Sequence, residues 1–181
     1  PGTITEEALL KERRENYILA VFGGSKTRSA GHSHDHIGLA WLDITSGRFY
    51  LAELENPAAL TNYVERIKPA EILVAEAFLE HAKQLIEGTP LQAHPQFSFD
   101  HTTAVRLLSQ RLRTRNLDAF GCDNAPMALT AAGCLLQYCE DKHRSHLPHL
   151  QRLVVESDNE FIAIDAATRR NLELNASLHD K

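Results

Sequence analysis

No stretch of this chain approaches the roughly 18 consecutive apolar residues that a membrane-crossing helix needs, so no segment reads as a transmembrane span. No signal peptide is expected either: the chain opens at Pro1 without a methionine, as a piece taken from within a longer protein would. Cysteines are few and odd in number. Cys122, Cys134 and Cys139 include no CxxC pair, which reads as reduced thiols in a cytosolic protein, with Cys134 and Cys139 as small core residues. There is no G-x-x-x-x-G-K-S/T phosphate loop, no G-x-G-x-x-G and no G-x-S-x-G, and no Cys/His nucleophile pair in a recognisable context. Positive charge is not in excess: 19 Lys and Arg against 24 Asp and Glu leave a net charge of −5. That argues against a nucleic-acid binder using its whole surface, though it leaves room for a local basic patch.

What is present suits a globular domain. The 181 residues, 43% hydrophobic and 24% charged, are enough for one domain with a real core, or for one domain plus a fragment. Thr3-Ile4-Thr5-Glu6 has the form of a capping box and opens a short helical stretch through Leu9, Leu10 and Arg14. Residues 17–22 read as a strand buried on both faces. A Gly-, Ser- and His-rich segment comes next, then strands at 37–44 and 48–54, with Thr45-Ser46-Gly47 as a hairpin loop whose glycine takes the left-handed position. Local connections make these three strands an antiparallel meander. Leu60, Tyr63, Val64 and Ile67 then mark one face of a helix with Pro57 near its start and Pro69 at its end. A central strand at 71–75, parallel to the first, precedes a helix over 78–87 closed by Gly88. Pro90 and Pro95 confine a weaker strand within 91–97 to an edge.

Asp100 is a good N-cap for a helix carrying Val105, Leu108 and Leu112. Asn124 and Pro126 open another, from Met127 to about His143, that is apolar nearly all round and needs covering on both sides. His146-Leu147-Pro148-His149 reads as a linker. Leu153-Val154-Val155 and Phe161-Ile162-Ala163-Ile164 read as a hairpin. The order β-β-β-α-β-α-β-α implies an α/β fold: a ribonuclease H-like mixed β-sheet flanked by helices, with a short hairpin-plus-helix segment at the C-terminal end.

Several constellations bear on chemistry. A ribonuclease H-like metal-dependent nuclease needs converging carboxylates on the first strand, the first helix and after the fourth strand. Here residues 17–22 contain no acid, and Glu65 and Glu76 alone read as a solvated face and a helix cap. His32-Ser33-His34-Asp35-His36 has zinc-compatible donors but falls one residue short of HxHxDH and sits in a Gly/Ser-rich loop. A variable hairpin insertion with adventitious metal affinity accounts for it. Arg111-Leu112-Arg113-Thr114-Arg115 could touch phosphates, and equally complements a helix C-terminus. His94, His101, His143, His146 and His149 read as surface or linker histidines.

Four stretches carry a resemblance. They are Pro1-Gly2-Thr3-Ile4 with Glu7-Ala8-Leu9-Leu10; Leu42-Asp43-Ile44-Thr45-Ser46-Gly47-Arg48-Phe49; Asn124-Ala125-Pro126 with Ala131-Ala132-Gly133-Cys134-Leu135-Leu136-Gln137-Tyr138; and Asp165-Ala166-Ala167-Thr168-Arg169-Arg170-Asn171-Leu172-Glu173. In this order they resemble the bacterial MutS family of DNA mismatch recognition proteins over nearly the whole chain, with the His32 to His36 loop as a local departure. The resemblance implies that residues 1–150 are the ribonuclease H-like connector domain and that 151–181 begin the core domain. It implies no catalytic, cofactor-binding or metal-binding residues in this stretch, since the mismatch-reading Phe-x-Glu segment and the phosphate loop lie elsewhere in the family's chain. The full-length protein is then an ATPase using ATP and magnesium that binds mismatched DNA with a second MutS subunit, and the connector offers a surface to MutL. A cytoplasmic location, at the nucleoid during repair, is implied by the same resemblance. Asp165, Thr168, Arg169, Arg170 and Asn171 are interdomain or structural candidates, Asp165 as the cap of the helix that carries the two arginines. Autonomous DNA binding is expected to be weak or absent.

Overall fold

The computed structural model describes residues 16–23, 36–142, 150 and 152–156. The helix expected near Thr3 to Arg14, the loop residues His32 to Asp35, the linker histidines and everything from Ser157 onward lie outside the described residues. That includes the second hairpin arm and Asp165, Thr168, Arg169, Arg170 and Asn171.

Six strands build one mixed sheet: β1 (Tyr17–Gly23), β2 (Ile37–Asp43), β3 (Arg48–Leu54), β4 (Glu71–Ala75), β5 (Leu91–His94) and β6 (Arg152–Glu156), in the spatial order β5-β4-β1-β2-β3-β6. β2 is antiparallel to both its neighbours, and the remaining pairs, β1–β4, β4–β5 and β3–β6, are parallel. Five strands therefore run one way and β2 runs against them. The β3-β2-β1-β4-β5 portion is the meander followed by helix-crossed strands that the element order implies for a ribonuclease H-like sheet.

Helices cover both faces. On one lie α1 (Ala59–Ile67) and α2 (Leu79–Leu85). There Leu60, Tyr63, Val64, Ile67 and Ala82 pack with Leu19, Val21, Leu39, Trp41, Ile72 and Val74. On the other lies α4 (Pro126–Lys142), whose Ala128, Ala131, Ala132 and Leu135 meet Ile18, Ala20, Leu42 and Leu51. Because β1 is buried on both sides, its sequence is a continuous apolar run rather than an alternation. α3 (His101–Leu112) forms a further layer outside α4, with Ala104 directly against Gly133. A Cβ on Gly133 would fall 2.3 Å from that of Ala104, so the glycine permits the close helix crossing. The nearly uniform apolarity of α4 is thus explained: it is enclosed between the sheet and α3.

One element differs from the sequence reading. The helix expected over 78–87 with a Gly88 cap is shorter, a single turn of 3-10 helix over Glu76–Phe78 followed by α2, which ends at Leu85. Ile86 leaves the helix in an extended conformation because its side chain is drawn into the core, where it is buried, and Thr61 of α1 donates its hydroxyl to the Leu85 carbonyl at 2.9 Å. Gly88, at φ 75°, turns the chain toward β5 instead.

Residues 153–155 are the first arm of the expected hairpin, whose second arm, Phe161 to Ile164, lies outside the described residues. The first arm lies within β6, parallel to β3 and in register Phe49↔Leu153 and Leu51↔Val155. The outer edge of β3 offers an unpaired ladder, and Leu153 there joins the core beneath α4.

Candidate functional site

The hairpin motif 42–49 is organised by one buried acid. Asp43, 2% exposed, ends β2 and accepts from the Thr45 amide at 3.0 Å and from the Ser46 hydroxyl, with the Arg48 guanidinium 3.6 Å away. Burial pushes its carboxyl up, but the Ser46 hydroxyl, the Thr45 and Ser46 amides and the Arg48 charge outweigh that and hold it below the usual range. Gly47, at φ 71°, supplies the left-handed residue the loop requires. This motif is a turn-forming device, and its residues are used up internally.

A second acid, which the sequence reading overlooked, seats α4. Glu53 on β3 accepts from the amides of Met127 (3.0 Å) and Ala128 (3.3 Å), two of the unpaired donors at the helix N-terminus. Partial burial raises its pKa despite those bonds and the nearby His36. The helix end comes this close only because Gly38, opposite Glu53 on β2, has no side chain: a Cβ would sit 2.0 Å from the Met127 carbonyl carbon.

At the other end of α4, the Tyr138 hydroxyl lies 2.9 Å from Glu71 Oε2 and 3.1 Å from Gln92 Oε1. One hydroxyl proton serves one acceptor. A turned Gln92 amide that donates to Tyr138, which in turn donates to Glu71, satisfies all three groups. Burial, then the Glu71 carboxylate, pushes the Tyr138 phenol up to about 12. His94 packs edge-on against this ring at 5.3 Å, and burial lowers its pKa. It is a half-buried packing residue rather than the surface histidine expected. His101 is exposed, with Nδ1 3.3 Å from the Pro126 carbonyl.

The carboxylates of a nuclease site do not come together. β1 has no acid, Glu65 stands on α1, and Glu76 is exposed after β4. Among the described residues no three His, Cys, Asp or Glu side chains are grouped to hold a metal ion, so the nuclease alternative gains no support. His36 is the only described member of the histidine loop, and it lies at the start of β2 near Glu53. The three cysteines are buried thiols; burial pushes Cys134 and Cys139 up to about 12, far from a nucleophile's range.

The arginines at the end of α3 separate into distinct roles. Arg111 lies 3.9 Å from Glu140 of α4. Arg113 closes the helix in a left-handed conformation at φ 54°, and Arg115 lines a surface groove with Arg106. At the far side of the sheet, Arg66 of α1 stands over the rings of Tyr63 (4.8 Å) and Trp41 (5.6 Å) and forms an ion pair with Glu156 of β6 at 2.6 Å. Trp41 in turn stacks on Tyr50 at 5.4 Å.

The site is therefore architectural: polar groups join strands to helix ends and tie β6 to the body. No described helix is long and apolar enough to cross a membrane. Compared with known protein families, residues 16–151 match the family described as MutS domain II.

Proposed function

The chain belongs to the MutS domain II family, and from that premise we propose that it serves as the connector of a MutS mismatch repair protein, joining the mismatch-reading part to the core and ATPase parts and offering a docking surface to MutL. The observation that carries the reading is the family match, which spans the whole five-stranded body and α4 and ends where β6 begins. The structural features support it. Polar residues at both ends of α4 are engaged in holding the helix to the sheet, which suits a rigid spacer rather than a reaction centre. β6, which leads toward the segment assigned to the core domain, is held to α1 by Arg66 and Glu156. The expected boundary near residue 150 falls just before β6, yet β6 is a strand of the same sheet, so the ion pair serves to anchor that strand to the body. Binding of mismatched DNA, pairing with a second MutS subunit, and ATP and magnesium chemistry belong in this reading to the full-length protein. Asp165, Thr168, Arg169, Arg170 and Asn171, outside the described residues, belong in this reading to the start of the next domain.

The test is capture of the cognate MutL by this chain and by the full-length protein, each with a matched control bearing charge reversals on the connector face. Retention by the full-length protein and by the chain, weakened in the controls, is expected. Failure of both to retain MutL would overturn the docking role.

A further inference from the structure

The outer face of α3 and the turn after it enclose an open groove of about 530 Å³, lined by His101, Thr102, Val105, Arg106, Gln110 and Arg115 among others, with no Asp or Glu in its wall. A smaller cavity of about 290 Å³ shares His101, Val105 and Arg115 and runs inward to the buried Leu117 and Leu129. One acid, the exposed Asp118, lines that cavity, and its carboxylate accepts from the Asn116 amide at 2.6 Å. Arg106 and Arg115 are exposed, and among the described residues neither has an ion-pair partner. Arg48, Arg66 and Arg111, by contrast, each have an acid within 4 Å. Two unpaired guanidinium groups over an acid-free, partly apolar groove are unusual on a chain of net charge −5.

We propose that this groove docks an acidic, amphipathic segment of a partner protein, with carboxylates on Arg106 and Arg115 and an apolar side chain against Val105. Guanidinium and carboxylate match as planar two-point partners, which favours Arg over Lys at such positions. The apolar inner end and the neighbouring Asp118 favour a polypeptide over nucleic acid, because a duplex presents a rigid file of phosphates that needs a broad, uniformly basic face. The inference goes beyond the connector reading: it fixes a surface and a chemistry without requiring that the occupant be MutL.

The experiment uses the chain itself and a short fluorescent peptide of alternating Glu and Leu. Its controls are the same peptide with Gln for Glu and a duplex oligonucleotide of comparable charge. The acidic peptide is expected to bind saturably, to shift amide resonances along residues 101–116, and to be released at about 0.5 M salt. Arg106→Glu and Arg115→Glu are expected each to weaken binding by about tenfold or more, with Arg106→Gln intermediate. Both side chains are exposed, so the variants keep the fold, which circular dichroism checks. The proposal is overturned by no binding, by equal binding of the Gln peptide, by variants that bind like the parent, by shifts confined to another surface, or by tighter binding of the duplex at the same residues.

Discussion

Arg66 and Glu156 lie 90 residues apart in the chain and 2.6 Å apart in space. The contact joins the last turn of α1 to the end of β6, and the same guanidinium covers Tyr63 and Trp41. Removing either partner therefore has unequal effects. Glu156→Ala is expected to cost about 1 kcal/mol in urea unfolding, the scale of a well-aligned but partly solvated pair. Arg66→Ala costs more, since it also uncovers two rings. A double-mutant cycle is expected to give a coupling of about 0.5–1 kcal/mol; zero coupling would show that the pair adds nothing to stability.

Gly133 gives a prediction against intrinsic preference. Alanine in a helix interior is favoured over glycine by about 1 kcal/mol. Gly133→Ala is nevertheless expected to destabilise, by about 1–3 kcal/mol, because its Cβ would overlap Ala104 and push α3 from α4. Ala104→Gly in the same chain should recover much of the loss. A Gly133→Ala variant that melts higher than the parent would refute the close crossing.

Glu53 and Asp43 predict opposite pH dependences. The folded pKa of Glu53 is raised, so its contribution is fully present below the unfolded pKa and is lost as pH rises through the folded value. The folded pKa of Asp43 is lowered, so its contribution is present above the unfolded pKa and is lost as pH falls through the folded value. Across the carboxylate range, from about pH 3 to 6, Glu53→Gln should gain stability relative to the parent as pH rises, while Asp43→Asn should fall further behind. Denaturant titrations at a series of pH values read both slopes, and slopes of the same sign would contradict one of the assignments.

The thiols provide a simple check on the core. Cys122, Cys134 and Cys139 are all buried, and the last two ionise only near pH 12. An aromatic disulfide reagent at about pH 8 is expected to find almost no reactive thiol in the native chain and all three after unfolding. Rapid native reaction of Cys134 or Cys139 would mean that α4 is not enclosed.

Much of this architecture is legible in the chain because it is encoded locally. Short apolar runs bounded by turn residues mark β1 to β4, the period of 3.6 marks α1, Asp100 caps α3 through the Thr103 amide at 2.8 Å as expected, and Pro90 and Pro95 hold β5 at the edge. The uniform apolarity of α4 correctly implies a helix covered on both sides. What is not legible depends on distant contacts. Leu85 ends α2 because Ile86 finds a place in the core, and residues 152–156 pair with β3 because its edge is open; neither fact is written in neighbouring residues. Glu53 is less visible still. Between Ala52 and Leu54 it occupies what looks like a solvent position, and the amides it caps are 74 and 75 residues away. Arg106 and Arg115 likewise share a groove only because the turn after α3 folds back, while the sequence presents Arg115 as part of a basic run with Arg111 and Arg113.

The pairing of β6 with β3 also sets an order of assembly. Arg48 and Arg152 are register partners separated by about a hundred residues, and such a contact forms late because a large loop must close first. Five of the described strands and the four described α-helices are complete by Lys142, so during synthesis the body can fold while the outer edge of β3 is still waiting for its neighbour. Over that interval Phe49 to Ala52 present an apolar strand edge, the kind of surface on which nascent chains join one another. β6 is thus a closing strip for the nascent domain. A chain ended before Arg152 is expected to fold with that edge exposed and to aggregate more readily than the longer one.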